Sequence, residues 1–259
     1  MKPAAFDYSK PADLAAALHA LSDDAKPIAG GQSLTPMLNL RLARPSALVD
    51  IRRQAELLRI AESSDAIRYG AALPHAAFED GAVPDGSKGM MRHVAGGIAY
   101  RAVRNRGTIG GSLAHADPAA DWISSLLALD ARVIVRGVKG ETAYPIDSFM
   151  LGGFTTVLGP GELVVGVSVP RLSPSARWAY YKICRKTGEF AKAISAVVSD
   201  PDRGVFRLVC GAIEAVPFLL QARDAEAAAA EIDARLGDHS PAARQLYKTA
   251  VRRAMESLA

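Results

Sequence analysis

The apolar positions of this chain change spacing several times, and each change marks an element. Leu14, Leu18 and Leu21 recur at helical intervals behind Ser9, whose hydroxyl suits an N-cap. Pro27-Ile28-Ala29 is a short strand-like run that enters a Gly-Gly pair. Leu34, Met37, Leu38 and Arg41 share a face, which predicts a short helix over 34–42. Residues 48–51 and 67–71 read as strands, and Pro74 opens a helix over 74–78. A helical pattern with Val94, Ile98 and Val103 near one face spans 90–103 and breaks at Asn105-Arg106-Gly107. Another spans 118–129, with Asp117 as its cap and Pro118 in its first turn. Strands follow at 131–135 and 163–169, the second stopped by Pro170.

Ser173-Pro174-Ser175 has the composition of a linker, and the pattern changes beyond it. Residues 176–182 and 205–211 read as strands, 222–236 as an Ala/Glu/Arg-rich helix, and a last helix starts at Pro241. These patterns place a domain boundary near Pro170–Ser175.

Two of the breaks are glycine-rich loops of similar design: Lys26-Pro27-Ile28-Ala29-Gly30-Gly31-Gln32-Ser33 and Arg106-Gly107-Thr108-Ile109-Gly110-Gly111-Ser112. A Gly-Gly pair reaches backbone conformations closed to other residues and removes the side chains that would fend off a ligand. Successive backbone N–H groups in such a turn form a concavity for anions. Two of them suggest a grip on one elongated ligand with a charged centre, such as a dinucleotide pyrophosphate. Ser33, Thr108 and Ser112 suit helix caps and phosphate contacts alike, because a helix N-terminus favours an anion. Arg101, Arg104 and Arg106 beside the second loop form either a solvated basic face or, for Arg104 and Arg106, contacts to phosphate or to a partner.

Composition narrows the classes. With 259 residues, 49% hydrophobic and 22% charged, the chain has material for a sizeable core. The net charge of +4 is scattered, with no basic run of the kind that tracks nucleic acid. The cysteines, Cys184 and Cys210, are far apart and read as reduced buried thiols; an iron–sulfur cluster needs about four thiolates. His19, His75, His93 and His239 are scattered without metal spacing and read as structural or solvated. No stretch is long and apolar enough to span a bilayer, and the first residues lack a signal peptide's apolar core, so a cytoplasmic protein is expected. G-x-G-x-x-G after a strand, the P-loop and the nucleophile elbow are all absent.

Both loops, in order and with Ala116-Asp117-Pro118-Ala119-Ala120-Asp121 downstream, resemble the FAD-binding medium subunit of the molybdenum hydroxylases, the carbon monoxide dehydrogenase and xanthine dehydrogenase group. Pro160-Gly161-Glu162-Leu163 and 182–190 carry the same resemblance, so it covers nearly the whole chain. It implies an α+β protein: a two-subdomain FAD-binding fold of the vanillyl-alcohol-oxidase type over 1–172, in two subdomains of about 1–58 and 59–172, followed by a C-terminal α/β domain over 176–259. It also implies residue roles. Lys26, Ile28, Ala29, Gly30, Gly31, Gln32, Ser33 and Leu34 would wrap the pyrophosphate and ribityl chain. Gly107, Thr108, Gly111 and Ser112 would supply a second set of amides and hydroxyls. His115 would touch the cofactor, and Asp121 would accept hydrogen bonds from it. Leu163 and Val164 would pack near the isoalloxazine or adenine, and Lys182 and Phe190 would lie near the flavin ring. Phe190 stands where relatives often carry Tyr, so it can stack but not donate. On their own residues, Asp121 reads equally as a cap or a surface pair, His115 as a structural histidine, and Lys182 and Phe190 as surface and core residues.

The resemblance further implies an electron-transfer subunit without catalytic residues or metal of its own. Two-iron–two-sulfur clusters would lie on a small partner subunit and the molybdenum cofactor on a large one, in a dimer of heterotrimers that passes electrons through FAD to an external acceptor. The alternatives are a self-contained FAD-dependent oxidase or dehydrogenase, and a scaffold that has lost its flavin.

Overall fold

A computed structural model describes residues 2–21, 24–213 and 216–258. The first unit is a small parallel sheet. Strand β1 (Asp7–Ser9), helix α1 (Leu14–Ala20), β2 (Ala25–Ile28), α2 (Leu34–Asn39) and β3 (Ala47–Asp50) alternate, and the strands order as β1-β3-β2. Parallel neighbours need crossovers, which the two helices supply. The first helix starts later than the pattern suggests. Ser9 is spent in β1, and Asp13 is the N-cap, accepting from the Ala16 amide at 2.7 Å.

A short helix, α3 (Ala55–Leu58), leads into an antiparallel sheet ordered β4-β5-β10-β6-β7. Its strands β4 (Ile60–Glu62), β5 (Ala66–Gly70), β6 (Arg132–Gly137), β7 (Gly140–Pro145) and β10 (Leu163–Pro170) enclose a helical insertion. That insertion comprises α4 (His75–Glu79), α5 (Met90–Gly96), α6 (Arg101–Arg104), α7 (Ile109–His115) and α8 (Asp121–Ala128). A short helix α9 (Ile146–Phe149) and a hairpin of β8 (Met150–Gly152) and β9 (Thr155–Thr156) complete the unit. The insertion's core centres on the fully buried Trp122, whose ring meets Phe78 edge-on at 5.2 Å, with Tyr69 packed on Phe78 in turn. Apolar burial of rings this size dominates core energetics.

Two helices depart from the pattern for local reasons. The 90–103 periodicity is interrupted because Ala99 adopts a left-handed φ of 43°, splitting it into α5 and α6. The 118–129 helix begins only at Asp121, since Asp117 closes a turn onto the Ala119 amide instead of capping.

After residue 175 comes an antiparallel sheet of β11 (Arg177–Ile183), β12 (Ala193–Asp200), β13 (Val205–Gly211) and β14 (Phe218–Leu220), in that order. Helices α10 (Ala225–Arg235) and α11 (Pro241–Leu258) cover one face, α11 through Tyr247, Ala250, Val251 and Ala254 at helical spacing. The other face lies on α5 and α8, and Ala196, Val198 and Val209 join the core of the second unit. Strand β12 is buried along almost its whole length, so it lacks the alternation by which strands are read from sequence. Both cysteines are free; Cys210 is buried, which pushes its thiol up to about 12, and Cys184 is half-buried.

Candidate functional site

The carboxyl ends of β2 and β3 lie side by side, with Ile28 opposite Asp50, and the first glycine loop leaves from there. Gly31 turns the chain at φ 70°, and Ser33 stands at the N-cap of α2 without a side-chain cap bond. The backbone N–H groups of Gly30, Gly31, Gln32 and Ser33 find no acceptor among the described residues. Four such successive donors make an anion-binding concavity. Gln32 Nε2 steadies the turn by donating to the Gly30 carbonyl at 3.1 Å.

The second loop packs directly against the first. A Cβ on Gly30 would stand 2.0 Å from the Arg106 carbonyl oxygen, and one on Gly110 would stand 2.4 Å from Ala71 Cβ. Here the expectation of a second set of free amides needs correction. The Gly107 N–H donates to Val103 O, the Ser112 N–H to Thr108 O, and the Gly111 N–H to Thr108 Oγ1, which caps α7. The first of these closes the end of α6 and the other two serve the start of α7, so all three are already engaged within the protein. The Thr108 amide and the Ser112 hydroxyl remain without a protein partner among the described residues.

Between the loops lies a cleft of about 260 Å³. Gly30 and Thr108 line it from the two loops, Arg52, Asn105 and Arg106 supply polar groups, and Leu58 is part of its apolar wall. The Arg106 guanidinium makes no hydrogen bond or ion pair among the described residues. Arg104 behaves differently from the phosphate or partner contact expected of it. Its side chain is 12% exposed, pairs with both Glu79 oxygens and donates to the Ile98 and Ala99 carbonyls, so it braces the left-handed turn. Arg101 is spent on Glu79 and Asp80.

His75 supports the second loop from beneath. Its backbone amide donates to Gly107 O at 2.9 Å, and its Nδ1 accepts from Trp122 Nε1 at 3.0 Å. Burial, with the charge of Arg104 second, lowers its pKa to about 4. The unfolded chain, with an ordinary histidine near 6.5, takes up the proton first, so stability is expected to fall as pH drops from about 6.5 towards 4, by about 3 kcal/mol. Urea titrations at pH 7.5 and 4.5 measure this; a His75→Asn variant that loses as much stability over that interval as the parent removes the assignment.

The remaining expected residues fall into separate places. Lys26 is exposed on β2, and Ile28, Ala29 and Leu34 are half-buried around the first loop. His115 is half-buried, its ring 5.2 Å from Phe154. Leu163 and Val164 are buried in two different cores, and neither lines the cleft. Asp121 is not a surface pair: its Oδ1 accepts from Tyr180 Oη at 2.7 Å and from Lys182 Nζ at 2.8 Å, and Lys182 also donates to the Gly97 carbonyl. Burial pushes the Asp121 carboxyl upward against these partners, and drives the Tyr180 hydroxyl well above its usual range. This cluster ties β11 to α8 and to the 97–100 turn. Gly188, at φ 87°, closes on the same turn, where its Cβ would meet Ala99 O at 2.8 Å. Tyr100 and Phe190 are exposed beside it, Phe190 at 69%.

One residue of the cleft has no signal in the sequence. Arg52 is brought there by Tyr8, 44 positions away, and by Asp50. Among the described residues, no group of His, Cys, Asp and Glu could hold a metal ion, and no helix is long and apolar enough to cross a membrane.

Residues 4–172 match a family model described as the FAD-binding domain in molybdopterin dehydrogenase. The chain is 43% identical over 194 residues to the 6-hydroxypseudooxynicotine dehydrogenase complex subunit alpha of Paenarthrobacter nicotinovorans, covering 74% of this chain and 66% of that protein. It is 38% identical over 201 residues to the carbon monoxide dehydrogenase medium chain of Hydrogenophaga pseudoflava, covering 76% and 70%. The matches thus span about two thirds of these relatives' lengths. Among solved structures, it superposes on a carbon monoxide dehydrogenase from Hydrogenophaga pseudoflava with a TM-score of 0.89 at 32% identity, covering 100% of this chain and 98% of that one. It also superposes on quinoline 2-oxidoreductase from Pseudomonas putida 86 with a TM-score of 0.87 at 30% identity, covering 100% and 98%.

Proposed function

The chain belongs to the FAD-binding medium subunits of the molybdenum hydroxylases, an FAD-carrying oxidoreductase component, and from that membership we propose its place in the complex and the residues that hold its cofactor. The observation that carries the site is the row of four unpartnered amides at 30–33, which begins at Gly30 on the wall of a cleft whose lining includes Arg52 and Arg106 and no acidic residue. That donor set fits a pyrophosphate, and the wall around Leu58 fits an apolar part of the same molecule. Lys26, Ile28, Ala29, Gly30, Gly31, Gln32, Ser33 and Leu34 would hold the cofactor from the first loop, and Gly107, Thr108, Gly111 and Ser112 from the second. Gly107 and Gly111 would contribute there by close backbone approach. His115, Asp121, Leu163, Val164, Lys182 and Phe190 complete the proposed set. Leu163 and Val164 would act through backbone, and Asp121 and Lys182 through the turn at 97–100 that they hold.

Bound FAD supplies a junction between one-electron and two-electron transfer; the protein's part is binding, orientation and tuning. The same proposal puts iron–sulfur clusters on a small partner subunit and the molybdenum cofactor on a large one, as a dimer of heterotrimers in the cytoplasm with an external electron acceptor. Relatives are named as a medium chain and as a subunit of a dehydrogenase complex, which supports the division among several subunits. It also divides the chain at 172, where the family match ends.

The test is an absorbance spectrum of the purified chain, with the released cofactor identified by mass. Stoichiometric FAD is expected, together with no turnover of candidate substrates until partner subunits are added. A folded, colourless protein that refuses added FAD overturns the site. Substrate turnover by the chain alone would favour a self-contained dehydrogenase.

A further inference from the structure

Arg52 follows β3, the central strand of the parallel sheet, at the end that adjoins the first glycine loop. Ligands of such sheets gather at the carboxyl ends of the strands. Its guanidinium is fixed on one side only. Nε donates to Asp50 Oδ1 at 3.0 Å, and Nη2 donates to Asp50 Oδ2 at 2.6 Å and to Tyr8 Oη at 3.2 Å. Tyr8 Oη donates in turn to Asp50 Oδ2 at 2.5 Å, and the Arg52 amide closes the ring on Asp50 Oδ1 at 3.0 Å. Asp50 is buried, and this bonding holds its carboxyl well below the usual carboxylate range, so the anchor stays charged. Nη1, with its two N–H donors, has no protein partner among the described residues, while the side chain is 38% exposed and lines the cleft.

A guanidinium held on a buried carboxylate has already lost its rotamer freedom, so a ligand that meets the free edge does not have to order it. The pair with Asp50 is close to neutral overall. The attraction it offers is therefore directional hydrogen bonding, added to the unpaired charge of Arg106 on the opposite loop. A lysine in the same place would supply a point charge without the flat double donor.

We propose that Arg52 is a further phosphate-binding residue of this site, presented by Asp50 and Tyr8 to the phosphates of the dinucleotide from the side of the first loop. This rests on the FAD reading above. Titration of the full-length apoprotein with FAD, ADP and adenosine separates the possibilities. Arg52→Gln is expected to weaken FAD and ADP by about tenfold or more, the worth of a charge-assisted hydrogen bond, and to leave adenosine unchanged. Arg52→Lys, which retains a cation for Asp50, should fold like the parent and still lose ADP selectively, by a smaller factor. ADP affinity within twofold of the parent in both variants, or ADP and adenosine weakened alike, overturns the proposal. Parent apoprotein that takes up no FAD overturns the FAD reading itself, a different result.

Discussion

A Gly30→Ala variant is expected to lose FAD, by about a hundredfold in affinity, while its C-terminal sheet remains folded. The Cβ it adds would stand 2.0 Å from the Arg106 carbonyl oxygen, 2.6 Å from the carbonyl carbon and 2.7 Å from Gly107 Cα. All three are backbone atoms, so no side chain can swing aside. The overlap is relieved only by moving the two glycine loops apart, which displaces Gly30 and the unpartnered amides that start there from the cleft that Gly30 and Thr108 line. Forcing a methyl group into close-packed structure costs about 1–3 kcal/mol, and the upper end corresponds to about a hundredfold. Fluorescence titration of the apoprotein with FAD reads the effect, and a thermal melt without FAD checks the fold. An affinity within threefold of the parent would show that the loop contact does not shape the site.

Replacing Asp121 has the largest expected effect on stability. Lys182 and Asp121 side chains are only 11% and 9% exposed, and Tyr180 donates to the same carboxylate oxygen. In Asp121→Ala the Lys182 ammonium keeps a single protein acceptor, the Gly97 carbonyl, and its charge is left uncompensated in a buried position. Removing one partner of such a pair costs about 3–5 kcal/mol. For a chain of this size that corresponds to a fall in Tm of about 10 °C. The double variant Asp121→Ala with Lys182→Met, which deletes both charges, should recover part of that loss, because the penalty lies in the orphaned cation. A single variant that loses less than about 1 kcal/mol, or a double variant no better than the single one, would mean that the pair is not the joint between β11 and α8. The same cluster holds the 97–100 turn, so the single variant should also alter the near-ultraviolet dichroism of Tyr100 and its surroundings.

The sequence alone determined the features that depend on local backbone chemistry. The two Gly-Gly loops, the strand that ends at Pro170 and the final helix are all legible, because a glycine, a proline or a 3.6-residue apolar period acts on its own neighbourhood. The order of the motifs was enough to bring out the family. Features that depend on partners distant in the chain were decided by tertiary structure. Strand β12 is covered on both faces, so its residues carry no alternation to read. The helical period over 90–103 is overruled at Ala99, where Arg104 and Lys182 hold the carbonyls of the turn from two sides. Apart from that of Thr108, the amides of the second loop are spent within the protein, which no motif discloses. Arg104 and Arg106 sit two positions apart, yet one is paired with Glu79 and the other lines the cleft. Arg52 shows the reason most plainly: its orientation is imposed by the buried carboxylate of Asp50 and by Tyr8, 44 residues away, and a hydrogen bond across that separation exists only once the parallel sheet has formed.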